Sequence, residues 1–446
     1  MRLGRGAGIP KMILGIGIHP GPIVAFIPQL FWRLIFMDAL PELVVANDHD
    51  FRGACMRIAK HNLVALDTEF VGEDTYKPEI CLVQIATPDE LILVDTIKVK
   101  NIEPLWKLLV EPQREVVVHA GKEEIRLCQL AIGQAPSKLF DIQIASGLVG
   151  LGFPVGMAQL LQSLVNRRIN KAETLTDWRV RPLTSAQIRY AFDDVRYLLQ
   201  AHAVLVARLK QMDRLEAAQE EFTRLINWTP DEEGEPGLEK WRRLRGAGQL
   251  DRKKLALLKM IFDWREKRAS KLNRPARTLM RDDLLLEVAR RMPTTDRELN
   301  LVRGLQARDI PDLVEMANIA RKMPPELCPE PPEKEVETPA MIIASGMLSA
   351  VLGDICIRQK LAQTMVASVA EIRAVVRAKA QKKPIPEGLS LREGWRRKLV
   401  WPLIEAVLDG KRLLRLKGFG SDSPIEYQLP AAEPETPPQA EPAPAE

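Results

Sequence analysis

The chain has 446 residues, of which 46% are hydrophobic and 28% charged, too many for one ordinary core, so two or three domains are expected. Basic residues exceed acidic ones by only five, which gives a mildly basic protein that steers polyanions only where its charge clusters. Its five cysteines, Cys55, Cys81, Cys128, Cys328 and Cys356, are scattered and never form a CxxC pair, which argues against a disulfide framework or a zinc site and fits a reducing cytoplasm.

Near the N-terminus, Met12 to Trp32 is a run of 21 residues without a charged side chain, preceded by Arg2, Arg5 and Lys11. Such a run resembles a signal sequence or anchor. Pro20, Pro22 and Pro28 interrupt it, each removing a helix hydrogen bond at a cost of about 3 kcal/mol in a water-exposed helix. Residues 1–36 are therefore read as a misassigned start or a loose tail, with the first domain beginning at Met37 and no membrane partner expected.

From residue 62 come short aliphatic runs, LVALDTEF, ICLVQIA, LILVDT and EVVVHAG, each of strand length. Helical stretches lie between and after them, the longest running from Ser185 to Ile226. The pattern predicts an α/β domain with a mixed sheet over residues 37–228. TPDEEGEPG at 229–237 is acidic, carries Gly and Pro and has no apolar period, which marks a linker. Residues 238–322 show helical spacing and almost no strand signal, predicting an all-α module. A Pro/Glu-rich linker at 323–339 precedes a mainly helical segment at 340–429, and the Pro, Ala and Glu tail at 430–446 is expected to be disordered.

Three acidic segments carry the candidate chemistry. Asp67 and Glu69 sit at i and i+2 at the end of a strand, so both carboxylates share one face and together invite a divalent metal. Glu123 and Glu124 open a helix, where the dipole favours negative charge. Tyr190 and Asp194 are four apart on a helix and share one face. Each segment alone is ordinary surface decoration.

In this order, the three segments resemble the exonuclease motifs of the DEDD superfamily, in the subgroup with tyrosine in the third motif. The stretches KPEICLVQIAT, FDIQIAS and TLTDWRVRPLTSAQIRYAFDDVRYLL bring the resemblance closer, to the ribonuclease D family. It covers roughly residues 40–210. The family implies a ribonuclease H-like fold and a hydrolytic 3′-to-5′ exoribonuclease whose carboxylates hold two Mg²⁺ or Mn²⁺ ions about 4 Å apart. By resemblance, Asp67 bridges both ions, Glu69 and Asp194 complete the nucleophile-side metal, and Tyr190 orients the attacking water. The second motif departs from the pattern: the family has aspartate where this chain has Glu124, five residues after His119. Glutamate keeps the charge and adds roughly 1.5 Å of reach, which Mg²⁺ absorbs by losing a water ligand and which is expected to slow turnover or favour Mn²⁺. Asp141 in FDIQIAS reads as an N-terminal helix position or a substrate-facing residue.

The helical module resembles the HRDC domain that follows the nuclease in that family. Its first helical region, Trp241 to Lys254, clusters Arg242, Arg243, Arg245, Arg252, Lys253 and Lys254 against Asp251 alone, which suits phosphate contacts. Residues 340–429 occupy the place of a second, degenerate HRDC-like domain, with Arg396, Arg397 and Lys398 as candidate RNA contacts. The expectation is a cytoplasmic, monomeric enzyme trimming the 3′ ends of structured RNA such as tRNA precursors. Two alternatives stand beside it: an RNA-binding pseudo-nuclease weakened by Glu124, and a DNA 3′-to-5′ exonuclease of the same superfamily. Telling these substrates apart rests on 2′-OH contacts.

Overall fold

The aliphatic runs become strands because branched side chains pack well on both faces of a covered sheet. In the computed structural model, residues 40–169, 176–228, 239–331, 337–417, 420 and 423–430 are described. The expectations for residues 1–36, for the linker at 229–237 and for the tail beyond Pro430 lie outside them. Strands β1 (Glu42–Val45), β2 (Leu63–Val71), β3 (Glu79–Ala86), β4 (Leu91–Asp95), β5 (Glu115–Val118) and β6 (Lys138–Asp141) form one sheet in the order β1-β4-β3-β2-β5-β6. The β2–β3 and β3–β4 pairs are antiparallel and the others parallel, the mixed sheet expected.

Alternation along β2 sorts its side chains between two cores. Val64 and Leu66 face α1 (Asp48–Ile58), α2 (Glu103–Leu109) and α3 (Lys122–Ile132), packing with Phe51, Trp106 and Ile125. Ala65 faces the other side, under α4 (Ile142–Leu148), α5 (Met157–Val165), α6 (Ser185–Arg196), α7 (Leu198–Gln211) and α8 (Leu215–Ile226). By the same alternation Asp67 and Glu69 share the face of Ala65, whereas Thr68 turns toward α3. A register shift between Glu69 and Phe70 ends the regular ladder just past the two carboxylates.

The long helical stretch from Ser185 is broken at Tyr197 and again at Asp213, whose φ is +54°. The second break turns Arg214 inward. Its guanidinium donates to Leu148 O at 2.6 Å, to Lys360 O at 3.0 Å and to Gln359 O. One buried arginine thus joins the nuclease fold to the C-terminal segment.

The helical module consists of α9 (Arg252–Leu272), α10 (Ala276–Leu279), α11 (Asp282–Arg291), α12 (Asp296–Asn300) and α13 (Ile310–Lys322) around its own core, which includes Trp241, Leu257, Ile261, Leu285 and Leu313. Trp241 to Leu250 is not the helix expected. It forms two 3-10 turns around Gly246, whose φ of +106° is open to glycine, and α9 starts only after the Asp251 cap. The module touches the β2–β3 loop, where Tyr76 Oη donates to Glu266 at 3.2 Å and Lys77 N donates to Asn273 Oδ1 at 3.0 Å.

The C-terminal segment comprises α14 (Pro339–Gln359), α15 (Gln363–Val366), α16 (Val369–Ala380), α17 (Gly394–Leu399) and α18 (Trp401–Leu408), then a hairpin of β7 (Leu413–Leu416) and β8 (Ile425–Gln428) that helical spacing does not predict. Leu352, Ile355, Val366, Trp395 and Ile404 are buried in the same cluster as Leu148, Leu205 and Phe222 of the nuclease domain. By length and composition α14 could cross a membrane. In this structure it buries Leu348, Val351, Leu352 and Ile355 inside that shared cluster, and Asp354 accepts from Ser423 Oγ at 2.6 Å and Tyr427 Oη at 2.8 Å of the hairpin.

This docking corrects one expected RNA contact. Arg396 is buried, donating to Glu221 at 2.6 Å and to the carbonyls of Met365 and Val366, while Trp395 Nε1 donates to Glu221 at 2.8 Å. A guanidinium so placed ties α17 to α8 and faces no solvent.

Candidate active site

The site lies where β2 ends beneath α6. Helix α6 is fixed at its start by a capping box, the Thr184 hydroxyl accepting from Gln187 N at 3.1 Å and the Gln187 side chain accepting from Thr184 N at 2.8 Å. Four residues of helical spacing then bring Tyr190 and Asp194 over the strand. Oxygens of Asp67, Glu69 and Asp194 all lie within 4.8 Å of one another, a grouping able to hold a divalent cation. The Tyr190 hydroxyl donates to the Asp194 carboxylate, and the Tyr190 ring lies 5.9 Å from that of buried Trp178.

Trp178 is itself held by the loop before α6. Arg181 forms a two-pronged pair with Asp95, Nε to Oδ2 at 2.7 Å and Nη2 to Oδ1 at 2.8 Å, and also donates to Trp178 O at 2.6 Å and Cys81 O at 3.1 Å. Asp95 is 2% exposed. The DWRVRPL stretch therefore works as a clamp from the sheet to the tyrosine, a role that residue spacing alone did not reveal.

Glu124 sits beside the group rather than within it. Its Oε1 accepts from Thr68 Oγ1 at 2.8 Å, on the other face of β2, and both residues are buried. Asp141 caps α4, accepting from Gln143 N at 2.8 Å and Ile144 N at 3.3 Å, and its carboxylate also accepts from Ala120 N at 3.2 Å and Gly121 N at 2.9 Å. It is the N-terminal helix residue expected, and it further pins the turn that presents Glu124.

Crowding of acids sets the electrostatics. Burial pushes Glu69 up to about 8, with Asp194 and Glu124 adding repulsion. Asp67 is raised well above the usual carboxylate range, by burial first and then by Glu124, Asp194 and Glu69. Glu124 and Asp194 rise to about 7, again mainly by burial, against the opposing hydrogen bonds from Thr68 and Tyr190 respectively. Without a cation these acids retain protons near neutrality. A bound positive charge would reverse that balance.

The basic residues of the helical module are spread over several tasks. Arg242 stacks on Trp241 and donates to Glu330 O, Arg252 pairs with Glu330 at 2.7 Å, Lys253 donates to Arg321 O, and Lys254 pairs with Asp251 at 3.0 Å. Arg243 is half-buried, and Arg245 is exposed.

Comparison with known proteins agrees with this geometry. A 3′-5′ exonuclease family model matches residues 44–210, and an HRDC domain model matches residues 254–316. The ribonuclease D of Gluconacetobacter diazotrophicus is 32% identical over 386 residues, covering 84% of this chain and 95% of the relative. That of Escherichia coli is 29% identical over 364 residues, covering 80% and 96%. The crystal structure of Escherichia coli RNase D, described as an exoribonuclease involved in structured RNA processing, superposes with a TM-score of 0.70 at 28% identity, covering 82% of this chain and 98% of that one.

Proposed function

The chain belongs to the ribonuclease D family and is a hydrolytic 3′-5′ exoribonuclease; from that premise we propose that it trims short single-stranded 3′ ends from structured RNAs, tRNA precursors among them, as a cytoplasmic monomer. The observation that supports the site assignment is the convergence of Asp67, Glu69 and Asp194 under Tyr190. Three carboxylates with raised proton affinity form an all-oxygen donor set, which suits hard divalent ions.

In this reading Asp67, Glu69, Glu124 and Asp194 hold two ions, Mg²⁺ or Mn²⁺. When bound, such a pair supplies an activated water and neutralises charge at the scissile phosphate. Asp194 is steadied by the Tyr190 hydroxyl. The phenol, with a reference pKa near 10, orients the attacking water rather than deprotonating it. Glu124 approaches from the Thr68 side, and its longer reach favours the more forgiving Mn²⁺.

RNA is gripped by Arg242, Arg243, Arg245, Arg252, Lys253 and Lys254 of the helical module, which leans on the β2–β3 loop next to the site. Arg245 is the most available of them, since it is exposed and pairs with no carboxylate among the described residues. The binding-only and DNA-directed readings are not favoured by relatives that are ribonucleases across most of their length.

The test is a tRNA precursor with a short 3′ trailer, compared with the matching DNA and with a trailer sequestered in duplex. Trimming that stops at the folded body and spares DNA supports the reading. Equal degradation of the DNA strand contradicts it.

A further inference from the structure

Gln84 is fully buried on β3, yet neither its Oε1 nor its Nε2 has a hydrogen-bond partner among the described residues. Burying an unsatisfied amide is costly, so a sequence keeps one where it serves another end. In the register of the sheet Gln84 stands directly opposite Asp67 on one side and Leu93 on the other. Its neighbours along the same face of β3 are Leu82 and Ala86. Three of these four neighbours are apolar. Asp67 is therefore the one polar group directly flanking Gln84 in the sheet; Glu69 and Asp95 stand one step further along the same face, opposite Leu82, and Asp95 is taken by Arg181.

We propose that Gln84 is a positioning residue for Asp67: its buried Nε2 donates to the Asp67 carboxylate when that carboxylate holds a divalent ion, fixing the rotamer that serves the site. Directly opposed residues on one face have Cβ atoms about 4.5–5.5 Å apart, so the amide reaches the carboxylate by side-chain rotation alone. Asp67 is the acid most crowded by its neighbours, with Glu69, Glu124 and Asp194 all close enough to repel it. A carboxylate in that position needs a neutral donor to hold one oxygen while the other binds metal. An amide provides that donor without adding a charge to the site. Hydrogen-bond partners of this kind orient metal ligands, and their loss typically costs 10–100-fold in metal affinity or activity.

The inference rests on the two-ion reading of the site, and its test separates the two. Mn²⁺ is titrated by calorimetry into the full chain without RNA, for the original and for Gln84→Met, alongside thermal melting in EDTA and steady-state kinetics on single-stranded RNA. Gln84→Met keeps the volume and removes the amide. The expected result is a metal-free melting temperature equal to or above the original, Mn²⁺ affinity at least about tenfold weaker, kcat down about 10–100-fold and KM for RNA unchanged. A packing role predicts the same melting result with metal affinity and kcat intact, and affinity and kcat both within about twofold of the original would overturn the proposal. If Gln84→Met does not fold, Gln84→Asn, which withdraws the amide by one methylene, is expected to show the same loss of Mn²⁺ affinity, and unchanged affinity there overturns it equally. An original chain that binds no Mn²⁺ would strike at the two-ion reading itself, before any variant is compared.

Discussion

Thr68 Oγ1 donates to Glu124 Oε1 at 2.8 Å across 56 residues of sequence. This bond holds the Glu124 carboxylate on the α3 side of β2, the face opposite Asp67 and Glu69. Replacing Thr68 with Val removes the donor and leaves a buried acid without it, at a cost of about 1–3 kcal/mol in stability. Because the bond lowers the proton affinity of Glu124, its loss also raises that affinity and weakens metal binding near neutrality. Thermal melting and Mn²⁺ calorimetry check both. Glu124→Asp cannot span the same distance, and it is expected to raise activity with Mg²⁺ relative to Mn²⁺ in a side-by-side rate assay.

The acidic cluster predicts how stability depends on pH. Glu69 rises to about 8 and Glu124 and Asp194 to about 7 in the folded, metal-free chain, whereas unfolded carboxylates titrate near 4. Between these values the folded state binds more protons than the unfolded state, so stability falls as pH rises. The contribution is complete below about pH 4 and gone above about pH 8. Melting scans in EDTA should show the nuclease domain losing a few degrees between pH 5 and pH 8, with Mg²⁺ restoring more at the higher pH. A metal-free melting temperature that rises over this range would contradict the assignment.

Arg181→Met is expected to damage both fold and turnover. It leaves Asp95 buried without its two-pronged partner, a loss of about 3–5 kcal/mol. It also releases Trp178, which packs beside Tyr190. Activity should fall further than the change in stability explains when assayed well below the melting transition. The double variant Arg181→Met with Asp95→Asn should recover stability but not rate.

The shared core makes the C-terminal segment part of the nuclease. Arg396→Met leaves Glu221 only the Trp395 indole at 2.8 Å and Arg224 at 3.7 Å, and up to about 3 kcal/mol of stability should go with it. RNA affinity should stay unchanged, since the guanidinium faces no solvent. Filter binding with a single-stranded RNA, read beside a melting curve, distinguishes this from a lost RNA contact.

Local geometry made the juxtapositions of the candidate site legible. Asp67 and Glu69 at i and i+2, and Tyr190 and Asp194 at i and i+4, are neighbours by strand and helix periodicity alone, and the structure places them together as that periodicity requires. The sheet was legible for the same reason, from runs of strand length separated by turns. What could not be read depended on register and long-range packing. Thr68 meets Glu124, Arg181 meets Asp95, and Gln84 stands opposite Asp67 only because distant segments align. Arg396 was misleading because a buried arginine and an exposed one look alike in a sequence. The break at Asp213 was hidden for a related reason: helical periodicity continues through it, and the inward turn of Arg214 that follows is satisfied by carbonyls 66 and 146 residues away.

The most direct test of the account is single-nucleotide release from a 5′-labelled single-stranded RNA, followed for the original chain and for Asp67→Asn with Mg²⁺, with Mn²⁺ and in EDTA. A stepwise 3′-to-5′ ladder is expected with either metal, abolished by EDTA and reduced by several orders of magnitude in Asp67→Asn, which should remain folded. Absence of a ladder with both metals in folded original protein, or an undiminished ladder in Asp67→Asn, would contradict it.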